Sequence, residues 1–104
     1  MQIHKYRVSD GYDVTIHMPE DAKVLKFDVQ DGNLCIWVLE DNYKPSVGRH
    51  FKIIEEGTEL YIRALKKSGL MYVVDPTQME TMEYIGTIPT YGCEGERHLF
   101  EVLD

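Results

Sequence analysis

The chain has 104 residues, 43% of them hydrophobic and 28% charged, and a formal net charge of −7. That composition belongs to a globular domain, and its acidity excludes a protein that tracks a nucleic-acid polymer with clustered cations. No stretch approaches the ~20 consecutive apolar residues of a membrane-spanning helix. The opening Met1-Gln2-Ile3-His4-Lys5-Tyr6 lacks the apolar segment of a secretory signal, so a cytoplasmic domain without membrane contact is expected over 1–104.

Ile3 to Val8 reads as the first strand, and Ser9-Asp10-Gly11-Tyr12 as a turn. Val14-Thr15-Ile16-His17-Met18 alternates cleanly, and Pro19-Glu20-Asp21 ends it, because proline gives no amide proton to a ladder. If Asp10-Gly11 is a hairpin tip, His4 faces His17 beside Tyr6 and Thr15. That would be two ligands of a metal site with no third, so no metal is expected.

The most informative run is Val24 to Leu39. Asp31-Gly32 suits a type I′ turn, whose two central residues need positive φ. Gln30 then faces Asn33, Val29 faces Leu34, Phe27 faces Ile36 and Leu25 faces Val38, which makes one face wholly apolar. Leu34 to Leu39 is apolar on both faces, which implies a strand buried on one side and partly covered on the other. On that second side Lys26 falls opposite Trp37. This is either an aliphatic stem lying across the indole or an aromatic platform with a cation beside it.

Asp41 to Gly48 is a polar loop, followed by a strand at His50 to Ile54 and a break at Glu56-Gly57-Thr58. Glu59 to Leu65 and Leu70 to Val74 flank Lys66-Lys67-Ser68-Gly69 as another hairpin. A connector with at most a short helical turn near 76–81 leads to the last strands, Met82 to Ile88 and Arg97 to Leu103. Strand signals recurring roughly every eight to twelve residues predict an all-β fold, a small antiparallel sandwich or partly open barrel of about seven or eight strands.

Motifs for catalysis or cofactor binding are missing, including GxGxxG, the Walker A loop, HExxH and the nucleophile elbow. Neither catalytic residues nor a cofactor are therefore expected. Cys35 and Cys93 read as free thiols. Glu101 sits among Leu99, Phe100, Val102 and Leu103, either half-buried or, the favoured reading, on the solvent side of an edge strand. Seven tyrosines, several next to cations or turns, give the composition of a recognition surface. Pro89 to Glu96 is the best candidate binding loop. The candidate ligand-binding set is Trp37, Lys26, Tyr6, Arg7, Tyr91 and Arg97.

The opening Ile3-His4-Lys5-Tyr6-Arg7-Val8, the block from Met18-Pro19-Glu20-Asp21-Ala22 through Trp37-Val38-Leu39, and the closing Glu83-Tyr84-Ile85-Gly86-Thr87 and His98-Leu99-Phe100-Glu101-Val102 are similar to a family of small tailed-bacteriophage and prophage proteins. Residues 58–79 depart from that pattern as an inserted hairpin and connector. The resemblance implies a phage accessory protein in the host bacterial cytoplasm. Such a protein is expected to counteract host defence by sequestering a small anionic signalling nucleotide, without chemistry and as a homo-oligomer. The alternative is a protein-interaction module that inhibits a host protein or serves as a minor virion component. A nucleotide-degrading enzyme ranks third.

Overall fold

Asp31 and Gly32 take φ angles of 52° and 76°, the pair of positive values the type I′ turn requires. They close a hairpin in the computed structural model, which describes residues 1–8, 13–55, 57–66, 69–74, 77, 80–88 and 96–103, with 62–66 and 69–71 described by their backbone. The strands are β1 (Gln2–Arg7), β2 (Asp13–Pro19), β3 (Lys23–Gln30), β4 (Asn33–Glu40), β5 (Ser46–Glu55), β6 (Tyr61–Lys66), β7 (Gly69–Val73), β8 (Met82–Ile88) and β9 (Arg97–Val102). All pairings are antiparallel. One sheet has the order β1-β4-β3 and the other β2-β5-β9-β8-β7-β6. The fold is thus an all-β sandwich, with one strand more than the upper expectation among the described residues and neither sheet closed into a barrel. Among the described residues, no helix is long and apolar enough to cross a membrane. Of the residues near the expected helical turn at 76–81, only Thr77, Glu80 and Thr81 are described, and none is helical.

Near the turn the β3–β4 register is the expected one: Gln30 opposite Asn33, Val29 opposite Leu34, Phe27 opposite Ile36. Farther down, the register shifts between Val24 and Lys26, so Val24 faces Val38 and Leu25 is left 46% exposed. The expected Leu25–Val38 pair is therefore wrong. A bulge inserts one residue and reverses which side chains point inward, and simple alternation cannot see it. Val24 joins the core instead.

The expected β1–β2 hairpin does not form either. β1 pairs with β4 and β2 with β5, so His4 lies opposite Val38 while His17 lies opposite Gly48 in the other sheet. An isolated strand carries no mark of which sheet it will join. Here β1 buries Val8 beside its end and packs Tyr6 against the core, which places it on the apolar flank of β4. The polar loop is also shorter than expected, since β5 begins at Ser46 and pairs Val47 with Met18.

Val8, Ile16, Met18, Phe27, Ile36, Val38, Phe51 and Leu99 fill the space between the sheets. Ile54, Met82 and Phe100 form a second cluster with Leu60, Tyr72, Val74 and Val102. Neighbours on a strand point to opposite faces, so Ile53 and Leu99 enter the first cluster while Ile54 and Phe100 enter the second, on the far side of the larger sheet. The 58–79 segment contributes β6 and β7 as an extension of that sheet, joined to β8 through Met71–Glu83 and Tyr72–Met82.

The crossing from β2 to β3 carries the chain from one sheet to the other, and Arg49 holds it. Its guanidinium donates from Nε and Nη2 to the two carboxylate oxygens of Glu101, both at 2.7 Å. Nη1 donates to the carbonyls of Ala22 at 2.5 Å and Pro19 at 3.4 Å. Glu101 lies on β9, an interior strand between β5 and β8, and its side chain is only 15% exposed. The expected solvent-side position on an edge strand is thus corrected. The flanking Phe100 and Val102 pack in the outer cluster, which left Glu101 as the inward residue opposite a cation. Replacing one member of a largely buried pair strands the other charge. Arg49→Met should lower unfolding free energy by about 2–4 kcal/mol, and the double change Arg49→Met with Glu101→Leu should recover part of it. Urea denaturation at neutral pH measures both.

Candidate functional site

Strand β4 occupies the middle of the three-stranded sheet, and its alternation decides what each face offers. Leu34, Ile36, Val38 and Glu40 point toward the second sheet, while Asn33, Cys35, Trp37 and Leu39 point away from it. On the outward side the register sets Trp37 between Lys5 of β1 and Lys26 of β3. Leu39 lies between Ile3 and Lys23, and Cys35 between Arg7 and Asp28. Four of the chain's eleven lysines and arginines thus share one sheet face of a protein with net charge −7.

The Lys26 ammonium sits 4.9 Å from the Trp37 ring centroid, within cation–π range. Its Nζ is also 3.4 Å from Asp28 Oδ2. Asp28 accepts the Val29 backbone N–H at 2.8 Å, and this bond, followed by Lys26, holds its carboxyl below the usual range. Lys5, opposite Trp37 on β1, reaches across the face and donates to the side-chain carbonyl of Gln30 on β3. Trp37 is half-buried among these neighbours. The arrangement offers a flat π surface with one ammonium against it and a second on the same sheet face, which suits a stacked base with a phosphate close by.

Trp37, Lys26 and Arg7 therefore share this sheet face, whereas Tyr6 does not. Neighbours on a strand face opposite ways, so Tyr6 and Arg7 cannot share a sheet face. Tyr6 points inward and donates its hydroxyl to Glu40 Oε1 at 2.5 Å. Burial, then that hydrogen bond and the carboxylate charge, push its phenol from 10.0 up to about 12. Glu40 is 4% exposed, and His4 Nε2 stands 3.9 Å from the same oxygen without a hydrogen bond. This trio, with Glu40 buried and Tyr6 and His4 partly so, links β1 to β4. Arg97 begins β9 in the other sheet, opposite Glu55 and Ile88, so it lies apart from the Trp37 face. Tyr91 and all of the expected 89–96 binding loop except Glu96, Cys93 included, lie outside the described residues. Among those described, no three of His, Cys, Asp and Glu converge as a metal site.

The residues also form a groove that the sequence reading missed, about 450 Å³ in volume, on the outer face of the larger sheet. Tyr72, Tyr84 and Phe100 line it, with His98, Thr87 and the 57–60 connector around them. These residues come from separate strands, so no local motif announces the site. The available signal was the adjacent apolar pairs Ile53-Ile54 and Leu99-Phe100, which mark strands with two covered faces.

Because the folded state favours the neutral phenol of Tyr6, its stabilising effect is complete below pH 10 and is lost as pH rises through about 12. Tyr6→Phe leaves Glu40 buried without that donor and should cost about 2 kcal/mol near neutrality. The gap between the two proteins should narrow from pH 9 to pH 12, as read by urea unfolding across that range.

No curated protein and no solved structure matches the chain. The model of the family described as "Domain of unknown function (DUF7352)" matches residues 1–104. The chain belongs to that family.

Proposed function

We propose that this protein binds a small anionic ligand bearing an aromatic base, a nucleotide, and holds it without making or breaking a bond. The observation that carries this reading is the Trp37 indole with the Lys26 ammonium 4.9 Å from its centroid and Lys5 opposite it in register on β1. Stacking a base on an aromatic ring contributes about 1–3 kcal/mol. Lys5, Lys26 and Arg7 supply the charge that attracts phosphate, locally opposite in sign to the rest of the molecule.

One sheet face gives a ligand a single wall. A second copy laid across it would supply the other, and Ile3, 60% exposed on that face beside Leu39, favours such a contact. The functional reading is therefore a homo-oligomer that closes over its ligand. The likeness to tailed-phage proteins supplies the setting, sequestration of a signalling nucleotide of host defence in the bacterial cytoplasm.

A second reading, a module that captures a host protein, is favoured by Leu25 and Val29 on the edge strand β3, 46% and 47% exposed. The two separate in one experiment. Pure protein is incubated with cyclic nucleotides and ADP-ribose isomers, desalted and denatured, and the released material is weighed by mass spectrometry. Return of at least one intact ligand is expected. A converted product would make the protein an enzyme, and an empty protein that retains a host protein from infected cells would favour the second reading. Trp37 is the only tryptophan in the chain, so its fluorescence reports the site directly. Binding should quench it, and Lys26→Ala should weaken binding by about tenfold with an unchanged thermal midpoint.

A further inference from the structure

The groove on the far side of the larger sheet has a different chemistry from the Trp37 face. Its floor is Phe100, which is 4% exposed. Tyr72 and Tyr84 stand over that floor at steep angles, their planes 80° and 65° from it and their centroids 5.8 and 5.5 Å away. Tyr84 is 47% exposed, so much of its ring is open to an incoming group. Its hydroxyl bonds the Thr87 hydroxyl, which in turn meets His98 Nδ1 at 2.8 Å. That chain sets the tilt of the ring before any ligand arrives. Across the groove runs the 57–60 connector, anchored by Leu60 in the same apolar cluster as Phe100.

Charge selects among ligands. The groove lining includes Glu55 and, among the described residues, no lysine or arginine. A phosphate would meet no countercharge among the described lining residues. A compact cation would meet ring faces, whose quadrupoles are negative, in a molecule of net charge −7. The volume of about 450 Å³ takes a small organic group but not a folded partner.

We infer that the groove formed by Tyr72, Tyr84 and Phe100 is a binding site for a trimethylammonium group, held by cation–π contact with the Tyr72 and Tyr84 rings that stand over the Phe100 floor. The group could belong to a free choline-like molecule or to a trimethylated lysine side chain, since both present the same head to the rings.

The test is an NMR titration of the aromatic side-chain signals with choline, with a short trimethyllysine peptide, and with 3,3-dimethylbutanol. The last has the shape of choline without its charge. Choline or the peptide should shift the Tyr72, Tyr84 and Phe100 resonances and bind about tenfold more tightly than the neutral alcohol. Tyr84→Leu should lose that preference, and Tyr84→Phe, which keeps the ring, should retain most of it. The circular dichroism of both variants should match that of the parent. Stronger binding of choline would mark the source as a free small molecule, and stronger binding of the peptide would mark it as a modified protein tail. Equal affinity for the charged and neutral compounds would overturn the assignment, as would shifts confined to other residues or no shift with any of the three.

Discussion

Everything this molecule presents depends on the register of one strand. β4 lies at the centre of the smaller sheet, and its even-numbered residues close the core while its odd-numbered residues form the candidate site. Ile36 and Val38 have no solvent exposure at all, so a slip of one residue would bury Trp37 and expose them. The burial of two aliphatic side chains opposes that slip, at about 1.5–3 kcal/mol each. The Asp31-Gly32 turn enforces the same register from one end, since its positive φ angles admit only a tight two-residue connection. Arg49 enforces the relation between the sheets by clamping the β2–β3 crossing to the interior of the larger one.

Given that frame, electrostatics divides the surface. The smaller sheet carries four cations on the face that holds the indole, and the larger one shelters three aromatic rings without any described cation in the groove. Between them the Glu40 carboxylate is buried with Tyr6 as its donor and His4 nearby. A buried carboxylate with few partners is costly, and it persists here where β1 needs a specific anchor along β4. The two faces would attract ligands of opposite charge, which makes their roles separable.

Much of the architecture was legible because strand alternation and turn chemistry are local. The hairpin tip, the Lys26–Trp37 pairing and the limits of β8 follow from residue order alone. Leu25 shows where that logic stops, since a bulge changes parity without changing composition. The expected His4–His17 pair failed for another reason, as pairing partners across sheets are chosen by global packing. Tyr6 could have been removed from the site beforehand, because Arg7 beside it must face the other way. The Tyr72–Tyr84–Phe100 groove was hidden by sequence distance, each ring being unremarkable within its own strand.

The central claim is that the outward face of the smaller sheet receives the ligand. Backbone amide shifts recorded while ADP-ribose or a cyclic dinucleotide is added test it most directly. Movement should be concentrated at Lys5, Arg7, Lys26, Cys35 and Trp37, with Tyr84 and Phe100 still. Perturbation confined to β8 and β9, or none at saturating concentrations across the nucleotide panel, would contradict it.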